Sequence, residues 1–317
     1  MTNEEKIEYV IHYLQQKLKE SFVYPFNIIY EQKQLQFVIK NGQTECRART
    51  KDSEEIMRTV LEGNEEEKQI LTDRILQVLQ AAVSAQESTV LSDISDYEKI
   101  KSELILRPLS WRHHKEEIRD VPYIRMGDIV LVLYAVMAHV GSDYFTAKVR
   151  RSQMADWKHS ESEILEEALM NTAFLYPPRL YSLEDVLHWE HKHHEDGMFM
   201  GEEPAVKLHS GIRGLVLTNT LELNGAIAVF YPGVAEKIAE GFDSDLYIGF
   251  TSIHEAQVHP VGMVDPDTIR ESLQDINRFC NRSDEILTGR VFHYDRTRKS
   301  FGMMVDGERR EVYWDAR

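Results

Sequence analysis

The sequence predicts an α+β protein, with mixed or mainly antiparallel sheets and helices packed on one face. Three observations lead there. Asn41-Gly42 and Asn224-Gly225 stand between runs of strand formers, as in hairpins. Helical apolar periods recur between strand-like runs along the chain. Residues 215–260 hold the strongest series of local signals, with apolar strands, a helix and a polar corner at 252–255.

Residues 3–21 carry Ile7, Val10, Ile11, Leu14 and Leu18 at helical spacing, with Thr2 or Asn3 as the cap. Residues 27–31 and 35–40 are rich in β-formers, and Asn41-Gly42 sends a third strand back through Cys46 as a meander. One helix starts at the Asp52-Ser53 cap. A second spans 65–85, where Glu65, Glu66 and Glu67 complement its N-terminal dipole. The polar stretch 86–96 marks the expected boundary. An N-terminal helix-sheet unit, 1–90, precedes a main α+β domain, 97–317, that ends in a strand extension.

The second part opens with an expected strand at 101–108. After the charged segment 112–120 comes a strand pair, 129–138 and 144–150, turned by Gly141-Ser142-Asp143. The helix 160–172 has a capping box of Ser160 and Glu163, an apolar face of Ile164, Leu165, Ala168 and Leu169, and a stop at Tyr176-Pro177-Pro178. A short helix at 182–194 and a mobile acidic loop to about 210 are expected next.

In the central stretch, strands at 215–219, 226–231 and 246–250 are expected in one sheet. A helix at 232–242, entered through Pro232 and stopped by Gly241, should cover them with Val234, Ile238 and Ala239. The strand 256–261 follows the corner. A last helix starts at Asp265-Pro266-Asp267 and runs to Cys280, and the tail 289–314 alternates as a two- or three-stranded extension. Two strands before each of the helices 160–172 and 232–242 hint at an internal duplication.

Composition narrows the function. The 317 residues are 42% hydrophobic and 28% charged, enough for a packed core in one large or two ordinary domains. A net charge of −16 with no long basic stripe argues against direct nucleic-acid binding and suits solubility, a basic protein partner or mimicry of nucleic acid. Two cysteines, Cys46 and Cys280, make neither a disulfide framework nor a thiolate zinc site. The N-terminus is acidic and amphipathic, unlike a signal peptide, and the longest apolar run, 129–138, is far short of a membrane span. The expectation is a cytoplasmic protein with no membrane contact.

Two constellations could carry chemistry. Ser252, His254 and Glu255 offer a nucleophile, a base and a carboxylate to orient it. The same residues equally suit a turn-fixing network, with oxygens bonding backbone N–H groups and the imidazole tying strand to helix. Glu184, His188, His191 and Glu195 form one stripe on an expected helix, with His193 and His194 beside it, a set that could hold zinc, nickel or iron. Against it stands a solvated histidine-rich helix end without supporting residues, so no cofactor and no metal are expected. His254, Glu255 and His259 miss the H-E-x-x-H zinc motif by one residue, and their flanks are strand-like. Gly211, Gly214 and Gly225 build neither a dinucleotide fingerprint nor a P-loop.

The run NGAIAVFYPGVAEKIAEGFDSDLYIGFTSIHEA at 224–256, with ESEILEEALMNT and the following YPP, resembles an uncharacterised family, domain of unknown function 5688. Its pattern falls here on Asn224, Gly225, Tyr231, Pro232, Gly233, Ser252, His254 and Glu255, and the likeness covers about 100–298. The resemblance implies an origin in gut-dwelling bacteria, a lineage and a fold; it implies no reaction. The residues therefore point first to a non-enzymatic cytoplasmic protein that binds another macromolecule. The alternative is a hydrolase using Ser252, His254 and Glu255 or the His188–His191 metal stripe; it would need those groups to converge in a cleft.

Overall fold

Thr2 starts the first helix by a reciprocal cap: its hydroxyl accepts the Glu5 N–H at 3.2 Å and the Glu5 carboxylate accepts the Thr2 N–H at 2.8 Å. The computed structural model describes residues 2–31, 34–41, 44–49, 53–88, 96–140, 143–183, 198–199, 214–281, 283–305 and 307–316. The chain divides into two units, Met1–Ser95 with Val136–Ala147, and Asp96–Ala135 with Lys148–Arg317.

In the first unit, helix α1 (Asn3–Lys19) precedes the antiparallel meander β1 (Phe26–Glu31), β2 (Gln34–Asn41) and β3 (Thr44–Arg49). Helices α2 (Ser53–Glu62) and α3 (Glu65–Ser88) follow, and residues 136–147, from later in the chain, also belong to this unit. Spacing dictates the packing. Val10, Leu14 and Leu18 lie on one stripe of α1, and alternation turns Leu35, Phe37 and Ile39 to one face of β2. These six are buried with Ile56, Val60 and Leu79 in a single core. Ser53 locks α2 to the sheet, its hydroxyl accepting the buried Leu35 N–H at 2.9 Å.

The second unit opens with a short helix, α4 (Tyr97–Ile100), and a 3-10 turn at Lys101–Glu103, so the strand expected from 101 begins at β4 (Leu104–Ser110). A single helical turn, α5 (Trp111–His114), leads to a hairpin of β5 (Tyr123–Met126) and β6 (Ile129–Val140), with Gly127 at φ +62° in the turn. Strand β7 (Asp143–Lys148) pairs with β6. Helix α6 (Glu161–Leu175) carries the expected capping box and buries Ile164, Leu165, Ala168, Leu169 and Thr172. The Thr172 hydroxyl accepts the Leu106 N–H at 2.9 Å, which fastens α6 to β4.

The chain then enters a sheet with β8 (Pro178–Ser182), β9 (Met198–Phe199) and β10 (Leu215–Asn219). Ser182, expected to open a helix at 182–194, ends β8, and Met198–Phe199, expected in the loop to 210, form β9; residues 184–197, with Glu184, His188, His191 and Glu195, and residues 200–213 lie outside the described residues. The expected strand at 226–231 is instead a fully buried 3-10 helix, Gly225–Phe230. A short, wholly apolar run has the same sequence signature as strand or helix once it is buried on every side. Asn224, expected in a hairpin turn, caps that helix in the left-handed region at φ 53°. Helix α7 (Val234–Phe242) packs on the 3-10 segment, runs past Gly241, and ends at Asp243 in the left-handed region.

Strands β11 (Leu246–Phe250) and β12 (Ala256–Pro260) form a hairpin, and β12 pairs in turn with β10. Thus 215–219 and 246–250 share a sheet, with β12 between them rather than 226–231. With one of its strands replaced by the 3-10 helix, the strand-strand-helix duplication does not hold. Helix α8 (Pro266–Phe279) starts at Asp265, whose carboxylate accepts the Asp267 N–H at 2.8 Å, and sets Ile269 and Leu273 against Val291 and Tyr247. The tail supplies β13 (Val291–Asp295), β14 (Ser300–Val305) and β15 (Glu308–Glu311), which extend this sheet beyond β11. Last, β16 (Asp315–Ala316) crosses to pair with β5. Each strand pair whose register is described is antiparallel, and the fold class is α+β. Among the described residues no helix is long and apolar enough to cross a membrane.

Candidate functional site

The β11–β12 hairpin must reverse within five residues, Thr251 to Glu255, and polar side chains close that turn. The Ser252 hydroxyl accepts the His254 N–H at 2.9 Å, the short-range pattern that serine favours in turns. The Thr251 hydroxyl lies 2.9 Å from the Glu255 carboxylate and 3.2 Å from the Glu255 carbonyl, its two acceptors. Asn281, just beyond α8, donates its side-chain amide to the Thr251 carbonyl. The Ile253 N–H reaches the Glu285 carbonyl at 2.9 Å.

Three further bonds tie the corner to the segment after β10. Thr218 donates its hydroxyl to the His254 carbonyl at 2.8 Å. The Ala226 N–H reaches the Ile253 carbonyl at 3.2 Å. The Asn224 N–H reaches His254 Nδ1, also at 3.2 Å. Gly225 permits this approach: a Cβ there would lie 2.1 Å from Thr218 Oγ1 and 2.6 Å from the His254 carbonyl oxygen. Buried Asn219 shapes the intervening loop, donating to the Leu223 carbonyl and accepting the Leu221 N–H, each at 3.0 Å.

Accepting at Nδ1 assigns the neutral His254 proton to Nε2. That nitrogen faces the Glu285 carboxylate at 3.7 Å, with the imidazole 30% and the carboxylate 18% exposed. The residues expected to act together thus have separate partners. Ser252 bonds the His254 backbone, Glu255 holds Thr251, and the carboxylate opposite the imidazole is Glu285. Glu285, Asn281, Thr251 and Thr218 belong to the corner as well. Glu285 and Asn281 arrive after a whole helix, beyond the reach of any local spacing rule, whereas Thr251 adjoins the corner and was visible.

His259 is buried on β12, and Gly214 leaves room for its ring: a Cβ at 214 would lie 2.6 Å from His259 Nδ1. The strand geometry agrees with setting aside a helical zinc motif. Among the described residues no group of three or more His, Cys, Asp or Glu is placed to hold a metal ion. Two other features stand out. A groove of about 460 Å³ between α2 and α3 is lined by Arg58, Glu62, Ile70 and Arg74 among others. The outer stripe of α6 carries Glu163 and Glu166, then Met170 and Phe174, which are 57% and 84% exposed.

Fold and corner together define an antiparallel α+β protein whose β11–β12 turn is hydrogen-bonded to Thr218, Asn224, Ala226, Asn281 and Glu285. It belongs to a family of unknown function, DUF5688, whose model matches residues 12–296. The match reaches nearly to the N-terminus, further than the likeness at 100–298. No curated protein and no solved structure matches the chain.

Proposed function

We propose that this is a non-enzymatic, cytoplasmic macromolecule-binding protein whose partner is a protein with a basic, partly apolar surface. The outer stripe of α6 carries the reading. Large apolar side chains left in water commonly mark interaction sites, and here Met170 and Phe174 continue a line of carboxylates on a chain of net charge −16. Opposite charge speeds encounter and selects the partner, while buried apolar anchors supply affinity. The corner supports the reading too, because the side chains of Ser252, His254 and Glu255 are engaged in bonds of the fold.

The alternative is a hydrolase at Ser252, His254 and Glu255 or at the histidine-rich metal stripe. It draws on the partly exposed His254 imidazole facing Glu285. Quantitative affinity capture with the wild type and a Met170→Ser, Phe174→Ser double variant, at low and high salt, separates the two. Binding predicts a partner held by the wild type, weakened by salt and lost from a variant that melts normally. Hydrolysis of an ester or phosphoester probe, abolished by His254→Ala without loss of folding, would replace binding with the hydrolase.

A further inference from the structure

Gly302 has His293 as its direct neighbour on β13 and Glu311 on β15, so the three residues stand in a row across the sheet. With no side chain at 302, Arg309 crosses β14 there. A Cβ on Gly302 would lie 2.9 Å from both Cγ and Nε of Arg309. Passing over the gap, Arg309 Nε donates to His293 Nδ1 at 3.0 Å. Its other nitrogens bond the Ser300 hydroxyl at 3.0 Å and the Glu311 carboxylate. One side chain from β15 thus reaches over β14 to β13.

The acceptor at the far end is titratable. A guanidinium stays charged and only donates, so this bond requires a lone pair on His293 Nδ1 and puts the neutral ring's proton on Nε2. Nε2 faces Asp245 Oδ2 at 3.5 Å. Burial pushes the imidazole below its ordinary pKa; Asp245, Asp295 and Glu311 pull it upward, and Arg309 pushes it down. From β11, Tyr247 meets the ring edge-on, and α8 brings Ile269 and Leu273 to the Tyr247 and Val291 side of the sheet. A proton on Nδ1 would set two donors, both cationic, against each other.

We propose that Arg309 is an acid-released strap: protonation of His293 expels the guanidinium, frees β15, and leaves β14 as an open edge. A bare edge presents unpaired N–H and C=O groups to any incoming strand. The device is independent of the binding surface on α6.

Hydrogen exchange of the β14–β15 amides between about pH 8 and about pH 5, corrected for intrinsic rates, tests it. In the wild type, protection should fall on acidification by up to about tenfold per pH unit within the titration window, while the β10–β12 amides hold. His293→Asn keeps an acceptor oxygen near the Nδ1 position without a titration, and its β15 should stay protected at both ends of the range. Equal wild-type protection at both pH values overturns the proposal, as does an acid loss in His293→Asn that matches the wild type. Should His293→Asn fail to fold, imidazole ¹⁵N shifts of the wild type decide. Nδ1 protonation should coincide with loss of β15 protection; protonation with β15 intact overturns the strap.

Discussion

His254 Nδ1 accepts the backbone N–H of Asn224 at 3.2 Å, so one imidazole joins the β11–β12 turn to the entry of the buried 3-10 helix. His254→Ala removes the acceptor and leaves that N–H unpaired, at a cost of roughly 1–3 kcal/mol. His254→Asn, which can place an oxygen near Nδ1, should recover part of the loss. Thermal melts of the two beside the wild type check this; an unchanged melting temperature for the alanine variant would show the bond to be dispensable.

Glu255→Ala should also destabilise, because Thr251 is buried and loses one of its two acceptors. The loss is about 1 kcal/mol. Thr251→Val combined with Glu255→Ala should cost less than the sum of the single changes, since both remove one interaction. Urea titrations of the four proteins close the cycle.

Gly225 and Gly233 make a matched pair of tests. An alanine Cβ at 225 meets Thr218 Oγ1 at 2.1 Å and the Asn219 backbone nitrogen at 2.7 Å, whereas at 233 nothing lies within 4 Å but φ is +78°. Gly233→Ala therefore costs only backbone strain, roughly 1–2 kcal/mol. Gly225→Ala must push backbone apart and should melt lower than Gly233→Ala. The reverse order would mean that the segment around Thr218 yields easily.

Features set by neighbouring residues were legible in the sequence. The Thr2 cap, the Ser160–Glu163 capping box, the meander around Asn41-Gly42, the Asp265 cap and the three-stranded tail all follow from groups a few positions apart. Features set by distant partners were not. The run 225–230 carries no polar residue to mark which periodicity it obeys, so burial on all sides decided for helix. Strands β5, β8 and β16 are short, and a partner strand rather than composition makes them strands. In the corner, the residue types were visible but their pairing was not: His254 faces Glu285, while its neighbour Glu255 holds Thr251.

Thr172 is buried and bonds twice, accepting the Leu106 N–H at 2.9 Å and donating to the Ala168 carbonyl at 2.5 Å. Thr172→Val keeps the shape and leaves the Leu106 N–H without that acceptor. The expected loss is roughly 1–3 kcal/mol, and the amides of β4 should exchange faster than those of the β1–β3 meander. Thr172→Ser should retain most of the stability.

The stability of the second unit should depend on pH through His293. Its folded pKa lies below the ordinary 6.5, chiefly because it is buried. On unfolding the ring regains that ordinary affinity, so in the window below 6.5 the unfolded chain binds more protons. The stabilisation is complete above that value and is lost as pH falls toward the folded pKa. His293→Asn should flatten this part of a stability-against-pH curve from denaturant melts; an identical slope would assign the dependence to another group.

The pairing of β16 with β5 joins Asp315 to Arg125 and Ala316 to Ile124. During synthesis β5 emerges long before its partner. Its outer edge must wait, unpaired, while α6, the β8–β15 strands and α8 are made. Early hairpins such as β5–β6 can form as the chain emerges, but the outer edge of β5 is covered only after Asp315 and Ala316 have been made. A chain stalled before Asp315 would carry β5 as an open edge, a form suited to chaperone capture or to pairing with a neighbouring nascent chain.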